Sequence, residues 1–404
     1  MTNGTQGQGV PRRGPALILL LGLLEAFGPL SMDLYMPALP ELAATLRTTD
    51  TLAQFTMSVC MLGLGAGQLF AGPLSDRFGR RPPLLIGVVV FTVFSAACAL
   101  APSIEWLLVF RALQGIGGAA GMVVTLAIAR DLFSGAELSK MLSWLALVGA
   151  TAPIIAPVLG GQLTRVMDWR GIFLVLCGLG ALLLAVAARW LPESLPKAQR
   201  GGGRSSLLAD ARVLLGRGPY RSIVLIASIS GISFFSYLSM SSFVLQNDFG
   251  ISPQLFGVMF ALGSVCNVVG SQTNRVLVSR YSPLGLYLVG IAIASAGATL
   301  AGASAILGWG LSPFIAGLAI YLLSTGFTLP NQNTLALDSH GGRAGSAAAL
   351  IGMASLTVGP IISPLVSMGG VTTLTLGLTM AMASATVLTI GLTALGPRGR
   401  PAGG

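Results

Sequence analysis

Twelve apolar runs follow one another along this chain, and each is long enough to cross a lipid bilayer as a helix. They cover residues 16–36, 52–72, 83–101, 105–128, 141–163, 169–191, 221–245, 254–274, 283–303, 309–332, 344–366 and 371–395. A crossing helix needs about 20 apolar residues. Charged residues make up 9% of the chain, against roughly 25% in ordinary soluble domains. The sequence therefore predicts an all-α membrane protein with twelve transmembrane helices, and it excludes a large water-soluble catalytic domain.

One long polar stretch divides the runs into two sets of six. It covers residues 192–220 and combines prolines, three consecutive glycines and several basic residues, as is typical of a flexible linker. We expect five parts, which are a cytoplasmic N-terminal tail (1–15), a first six-helix lobe (16–191), a basic cytoplasmic linker (192–220), a second six-helix lobe (221–395) and a cytoplasmic C-terminal tail (396–404).

The distribution of Lys and Arg predicts the orientation of the chain. Short loops rich in basic residues stay in the cytoplasm. With the N-terminus inside, 19 of the 23 basic residues lie in cytoplasmic segments, and Arg47, Arg165 and Arg170 lie outside. The net charge of +10 is then explained by membrane topology, and we expect no nucleic-acid partner. Both termini are predicted to be cytoplasmic.

Short sequence matches indicate that the two sets of runs are copies of one unit. The sequence PIIAP at residues 153–157 recurs as PIISP at residues 360–364. The glycine and the Asp-Arg pair within residues 72–77 correspond to the glycine and the Asn-Arg pair within residues 270–275. Because six spans are an even number, both copies enter the membrane from the same side. This is the parallel repeat of two-lobed secondary transporters.

The loop after the second run carries glycines and charged residues at a fixed spacing. They are Gly72, Asp76, Arg77, Gly79, Arg80 and Arg81. This pattern resembles the signature of the major facilitator superfamily between its second and third helices. The resemblance implies two six-helix lobes around a central cavity, and it implies a gating role for these residues as a charge latch that holds the outward-facing state. A plain topology signal is the alternative reading of the basic loop.

Two acidic residues lie in the first apolar run. Glu25 and Asp33 are eight residues apart, so a helix places them about 12 Å apart along its axis and roughly 80° around it. Both can therefore face one cavity. A carboxylate within a span is energetically expensive and indicates a functional site, and we predict that these two couple transport to protons. Glu25 could instead snorkel or pair structurally, and Asp33 could have an interfacial or capping role.

The sequence of residues 33–40, DLYMPALP, resembles that of bacterial twelve-span drug:proton antiporters, in particular bicyclomycin and chloramphenicol or florfenicol exporters. Acids at both 25 and 33 are similar to those of a multidrug exporter in this group. The resemblance implies a place in the bacterial cytoplasmic membrane. It also implies that Arg111, in the sequence Arg-x-x-Gln-Gly, takes part in proton transfer. Snorkelling of Arg111 toward the outer interface is the alternative.

The fifth run contains two prolines four residues apart, flanked by glycines. Its marked residues are Gly149, Pro153, Pro157, Gly160 and Gly161. Proline removes a backbone donor and bends a helix, while glycine permits close packing. The segment resembles the antiporter motif of the family, although Ala152 replaces the usual glycine before the first proline. The resemblance implies an exporter in which this helix resists proton leakage.

Aromatic, thioether and amide side chains in both halves are candidates for the substrate-binding wall. They are Tyr35, Gln114, Phe234, Phe235, Tyr237, Met240 and Asn267. Such a surface suits a small, mostly apolar drug, although ordinary helix packing gives the same pattern. We therefore predict proton-driven drug efflux by alternating access, with a sugar or amino-acid exporter or symporter as the alternative. With one His, and with four Cys that all lie in apolar runs, we expect no enzyme activity, no metal and no cofactor beyond protons. We also expect a lipid-embedded monomer.

Overall fold

The computed structural model describes residues 15–201, 212–216, 218–338 and 344–395, and within these ranges it is helical with short turns. Eleven helices are long and apolar enough to cross a membrane, and a bent helix pair at the start of the chain supplies a twelfth span. The predicted all-α fold is confirmed. The predicted tails at 1–14 and 396–404, and residues 202–211 and 217 of the predicted linker, lie outside the described residues.

The twelve spans follow the predicted apolar runs, and several helices extend beyond them. Span 1 is the pair Pro15–Glu25 and Phe27–Asp33. Spans 2 to 6 are Asp50–Phe78, Arg81–Ala99, Ile104–Leu132, Gly135–Leu163 and Trp169–Trp190. Spans 7 to 12 are Gly218–Phe243, Pro253–Leu277, Pro283–Leu307, Leu311–Asp338, Ala344–Val366 and Thr373–Ile390.

Span 1 is interrupted, and prolines explain where. Pro29 has no N–H, so the carbonyl of Glu25 loses its partner in the helix. The helix breaks at this point, and the segments Leu17–Glu25 and Phe27–Thr45 are inclined by 47°. The chain then continues beyond the predicted end of the first run, through a 3₁₀ turn at Met36–Ala38 into the short helix Leu39–Thr45. Each of these two segments has a proline in its first turn, where the missing donor is tolerated.

The two halves pack their helices in the same order. In the first half, span 4 packs against spans 2 and 3, span 3 against span 6, and span 1 against span 5. In the second half, span 10 packs against spans 8 and 9, span 9 against span 12, and span 7 against span 11. Each pair in one half thus corresponds to a pair six spans later. Between the halves, span 5 meets span 8 and span 2 meets span 11, which is again a symmetric arrangement.

Candidate functional site

A cavity of about 350 Å³ lies between the two halves. Its wall is mostly apolar and combines flexible and flat side chains with a few amides and hydroxyls. These include Met32, Met61, Met122, Phe234, Tyr237, Phe260, Gln68, Asn267 and Thr325. Asp33 is the carboxylate among the described residues that line it. We call this space the central cavity.

Asp33 lies at the last residue of the second helical part of span 1, at the deep end of the central cavity. Its exposed fraction is 5%. In the described part of the chain it makes no hydrogen bond and no ion pair. Removing a carboxylate from water without a counter-charge is unfavourable. Neutralisation by a proton, or by a cationic ligand, would relieve that penalty, so this position suits a group that is alternately charged and neutral.

Three of the predicted wall residues line the central cavity. Phe234 borders it, Tyr237 stacks on Phe260 with ring centroids 5.5 Å apart, and the amide of Asn267 donates a hydrogen bond of 2.6 Å to the hydroxyl of Thr325. Phe235 lines a neighbouring chamber instead. These side chains present rings and polar atoms to the same space as Asp33.

Tyr35, Gln114 and Met240 require a correction, because none of them lines the cavity in this structure. All three are fully buried between helices. The Tyr35 hydroxyl lies 2.9 Å from the Thr56 hydroxyl, and its ring packs on Phe173. Their helices turn these side chains into the lobe interiors. We therefore assign Tyr35 and Gln114 to the support of Arg111.

Arg111 is fully buried, which rules out snorkelling in this state. Its guanidinium donates hydrogen bonds to the carbonyl of Ser31 at 2.9 Å, to the Gln114 side chain at 2.6 Å and to the carbonyl of Thr56 at 3.4 Å. It also lies 4.4 Å from the centre of the Tyr35 ring. No carboxylate is among its described partners. The guanidinium is held by carbonyl and amide dipoles and by the Tyr35 ring, rather than by an ion pair. Ser31 and Tyr35, which supply two of these contacts, are each two residues from Asp33 in the sequence.

Glu25 is half-buried and is not among the residues that line the central cavity. Its Oε2 atom is buried without a hydrogen-bond partner in the part of the chain that the structure describes. It precedes the cavity residues Gly28 and Pro29 by one helical turn. The two acids of span 1 therefore do not share one wall in this conformation, and Asp33 alone of the pair reaches the cavity.

The charged signature residues form a compact cluster at one end of the first lobe, which we call the loop end. The Arg80 guanidinium pairs with Asp131 at 2.8 Å, and also with Asp76. Gly79 adopts a φ of +97°, and a Cβ there would overlap the carboxylate of Glu193. Glycine is thus required at this turn.

Glu193 anchors the turn from the start of the linker. It accepts hydrogen bonds from the backbone N–H groups of Arg80 at 2.7 Å and Arg81 at 3.2 Å. Partial burial raises the pKa of Glu193, but backbone hydrogen bonds from Leu195, Arg80 and Arg81, with the nearby charge of Arg200, outweigh it and hold the pKa below its usual value.

The described partners of this cluster all belong to the first lobe and the start of the linker. Arg81 donates to the carbonyl of Ala188 at 2.5 Å, and exposed Arg77 lies over the ring of Phe78. Gly72 meets no close neighbour that would forbid a Cβ. Asp131 and Glu193 were missed at the sequence level. The sequence offered two signals for them: Asp131 is an acidic residue at the end of the fourth apolar run, and Glu193 is an acidic residue in the basic linker.

Span 5 uses its prolines and glycines to contact the second lobe. Pro157 has no N–H to pair with the carbonyl of Pro153, and the Ser264 hydroxyl of span 8 donates to that carbonyl at 3.3 Å. A Cβ on Gly161 would lie 2.7 Å from the carbonyl oxygen of Pro253 in the second lobe, whereas one on Gly160 would overlap the carbonyl of Leu34 within the first lobe.

Hydrogen bonds between the two halves concentrate at the end opposite the loop end, which we call the far end. The fully buried amide of Gln54 donates to the hydroxyls of Ser239 at 2.8 Å and Ser363 at 2.9 Å, and it accepts from Ser367 at 2.7 Å. Sequence analysis missed this residue, whose signal was an amide inside an apolar run.

Prolines of the first half contribute to the same closure. Ser242 donates to the carbonyl of Met36 at 2.6 Å, and Gln246 donates to that of Pro37 at 3.0 Å. Together with the Gln54 contacts, these bonds form the far-end seal. The central cavity therefore lies beneath a closed far end and extends toward the loop end.

The profile described as Major Facilitator Superfamily matches residues 21–364 of this chain. The chain belongs to the major facilitator superfamily. This membership accounts for the two six-helix lobes, and it makes the protein a multi-pass membrane transporter of small molecules rather than an enzyme.

Relatives of this superfamily member include drug-resistance transporters. An uncharacterized MFS-type transporter of Bacillus subtilis is 36% identical over 90% of this chain and 92% of its own length. A bicyclomycin resistance protein homolog of Haemophilus influenzae is 30% identical over 87% and 88%. A chloramphenicol resistance protein of Pseudomonas aeruginosa is 33% identical over 70% and 67%. These relatives confirm the predicted resemblance of this chain to transporters of the drug:proton antiporter type.

The fold of this superfamily member is also found in solved transporter structures. A nucleoside transporter structure aligns with a TM-score of 0.78 at 14% identity, covering 93% of this chain and 99% of that chain. At that identity the similarity shows the fold alone.

Proposed function

We propose that this protein exports small, mostly apolar drugs, such as chloramphenicol-, florfenicol- or bicyclomycin-like compounds, in exchange for protons. The observation that carries the proposal is Asp33, a buried carboxylate at the deep end of an apolar cavity, with no cationic partner among the described residues. Its charge is the feature of the cavity that a proton can change.

The cavity wall supports the substrate class. Met32, Met61 and Met122 can adapt to ligands of different shape, while the stacked Tyr237–Phe260 pair offers a flat apolar surface. A volume of about 350 Å³ is in the range of pockets that hold drug-sized molecules. The relatives named for bicyclomycin and chloramphenicol resistance support the same class.

In the proposed cycle, the far end and the loop end of the protein close alternately. In the state described here the far end is sealed, so drug enters from the loop end while Asp33 is charged. The lobes then rock, the far-end seal opens, drug leaves and a proton neutralises Asp33. The neutral protein returns to the first state. Only a ligand that distinguishes the two states can drive this exchange, and the proton does so by removing the buried charge.

Other residues have supporting roles in this proposal. Arg111 fixes the backbone of span 1 beside Asp33 through Ser31. Glu25, unpartnered at Oε2 among the described residues, is a second proton site. Span 5 limits proton leakage, and the Arg80 cluster acts as the latch when the loop end closes. The excess of Lys and Arg in the loops supports a cytoplasmic position for the loop end and both termini in a bacterium. One chain forms the whole cavity, so a monomer suffices for transport. Protons are the coupling ion in this proposal.

The test is efflux from everted membrane vesicles, with chloramphenicol, florfenicol, bicyclomycin and a lipophilic cation, each with and without an uncoupler. We expect uncoupler-sensitive transport of at least one compound and its loss in Asp33→Asn. Asp50→Asn, which removes a carboxylate that meets Asn247 at the far end, is the matched control and should retain transport. Transport that persists with the uncoupler, or in Asp33→Asn, would contradict the proposal.

A further inference from the structure

A second chamber of about 220 Å³ lies beside the central cavity, mostly inside the second lobe. It lies among spans 7, 9, 10, 11 and 12. The two spaces are adjacent, because they share the lining residues Met61, Phe234, Thr325, Leu329 and Leu356.

The chamber differs from the central cavity mainly in its lack of charge. Most of its surface is apolar, as in the central cavity, and its lining also includes the hydroxyl residues Ser230, Tyr321, Ser324, Thr328, Ser355 and Ser384 and the amide of Gln332. None of the described residues that line it is charged. A charged ligand group would have no counter-ion there, whereas a neutral group with donors and acceptors would be matched.

Two of these side chains have unused hydrogen-bond donors. The Gln332 side-chain oxygen accepts a hydrogen bond of 3.2 Å from the Tyr287 hydroxyl, but its Nε2 donates to no described residue. The Ser230 hydroxyl likewise makes no hydrogen bond in the described chain. Both residues border open space, so their donors are available to a ligand.

The Ser355 hydroxyl is already oriented to accept. It donates to the carbonyl of Gly352 at 3.0 Å and is only partly buried. With its proton engaged in its own helix, this oxygen keeps a lone pair for a donor that enters the chamber. The chamber therefore offers both donors and acceptors.

We propose that this hydroxyl-lined chamber binds the neutral polar part of the substrate, a hydroxyl or an amide, while its apolar part lies in the central cavity beside Asp33. The inference rests on the proposed function and adds a subsite to it. Drugs that carry such a group gain hydrogen bonds at Gln332 and Ser230. Lipophilic cations without one occupy the central cavity alone.

Thiamphenicol and florfenicol test this subsite, because they differ by a hydroxyl group that florfenicol replaces with fluorine. Binding of each is measured by equilibrium dialysis with the purified full-length protein, and tetraphenylphosphonium serves as a ligand without hydrogen-bonding groups. We expect the wild type to bind thiamphenicol more tightly than florfenicol. Gln332→Leu should weaken thiamphenicol binding about 3- to 10-fold, the size expected for one lost hydrogen bond, with florfenicol affected less and tetraphenylphosphonium unchanged.

Gln272→Leu is the matched control, because Gln272 is exposed near the end of span 8 and lines neither space. It should leave the ratio of thiamphenicol to florfenicol affinity intact. Ser230→Ala provides a second chamber variant with a smaller structural change, and it decides the matter if Gln332→Leu does not give folded protein. A selective loss of thiamphenicol binding in either chamber variant supports the inference.

Three results would overturn it. These are unchanged binding of both phenicols in both chamber variants, an equal loss for all three ligands, or a wild type that binds tetraphenylphosphonium but neither phenicol. In each case the drug-export proposal stands, since the wild type still binds a drug. A wild type that binds none of the three ligands would instead remove the proposed function together with the subsite.

Discussion

Arg80 shows how one side chain can organise the loop end. Its guanidinium is mostly buried and pairs with Asp76 and Asp131, while its backbone N–H is held by Glu193. Charge-assisted hydrogen bonds of this kind are stronger than neutral ones. The residue therefore ties spans 2, 3 and 4 to the start of the linker.

Replacing Arg80 by Ala should lower the free energy of unfolding by about 1–3 kcal/mol, because Asp131 and Asp76 both lose the cation that they share. Thermal unfolding in detergent measures the change. Arg77→Ala is the control, since that exposed side chain contacts the Phe78 ring, and it should change stability by less than about 0.5 kcal/mol. Equal effects of the two substitutions would show that the cluster contributes nothing specific.

Glu193 gives the loop end a pH dependence of known sign. Its pKa in the folded protein is lowered from the usual 4.5, so its contribution to stability is complete above that value and is lost as the pH falls through the lowered pKa. We expect the melting temperature of the wild type to exceed that of Glu193→Gln at neutral pH. The two should converge as the pH falls from 4.5 through the lowered pKa. A difference in melting temperature that does not shrink on acidification would mean that the carboxylate charge is irrelevant.

At the scale of elements, the contact between spans 5 and 8 decides how tightly the lobes close. Gly257 of span 8 lies against the carbonyl of Pro157, where a Cβ would overlap the oxygen. About two helical turns further along span 8, the Ser264 hydroxyl donates to the carbonyl of Pro153. Spans 5 and 8 therefore meet through close backbone packing at Gly257 and through a hydrogen bond to the carbonyl of Pro153, which Pro157 leaves without a partner in its own helix.

Gly257→Ala should therefore open the far end, because overpacking of this kind costs about 1–3 kcal/mol. Spin labels at exposed Val166 and Leu255, in a background without the four native cysteines, report the distance between spans 5 and 8. We expect the longer-distance population to rise roughly tenfold relative to the shorter one. Gly352→Ala, where a Cβ meets nothing within 4 Å, should leave the distances unchanged. A Gly257→Ala profile equal to that of Gly352→Ala would refute the packing argument.

The sequence predicts the elements well because each span needs its own apolar run and every backbone group in lipid must be bonded within a helix. The break after Glu25 follows from Pro29, which the run lengths do not reveal. The directions in which individual side chains point were harder to predict from the sequence. Asp33 faces the cavity, but Tyr35, two residues later, points into the lobe beneath Arg111. Such rotation depends on how neighbouring helices pack, and no single helix encodes it.

At the scale of the whole molecule, the two ends are held by different chemistry. Gln54 and the serines around it join the lobes at the far end, whereas the described contacts of the Arg80 cluster remain within one lobe and its linker. In alternating access, the far-end bonds must break while the loop end closes. The symmetric contacts of span 5 with span 8 and of span 2 with span 11 are compatible with a rocking of two similar lobes.

The central claim is that the charge on Asp33 links protons to drug. The most direct test measures the protons that are released when a saturating concentration of drug is added to the purified protein in weakly buffered detergent solution. We predict that the wild type releases protons, that Glu25→Gln retains most of that release and that Asp33→Asn binds a neutral drug with a much smaller release. Undiminished release from Asp33→Asn would contradict the account.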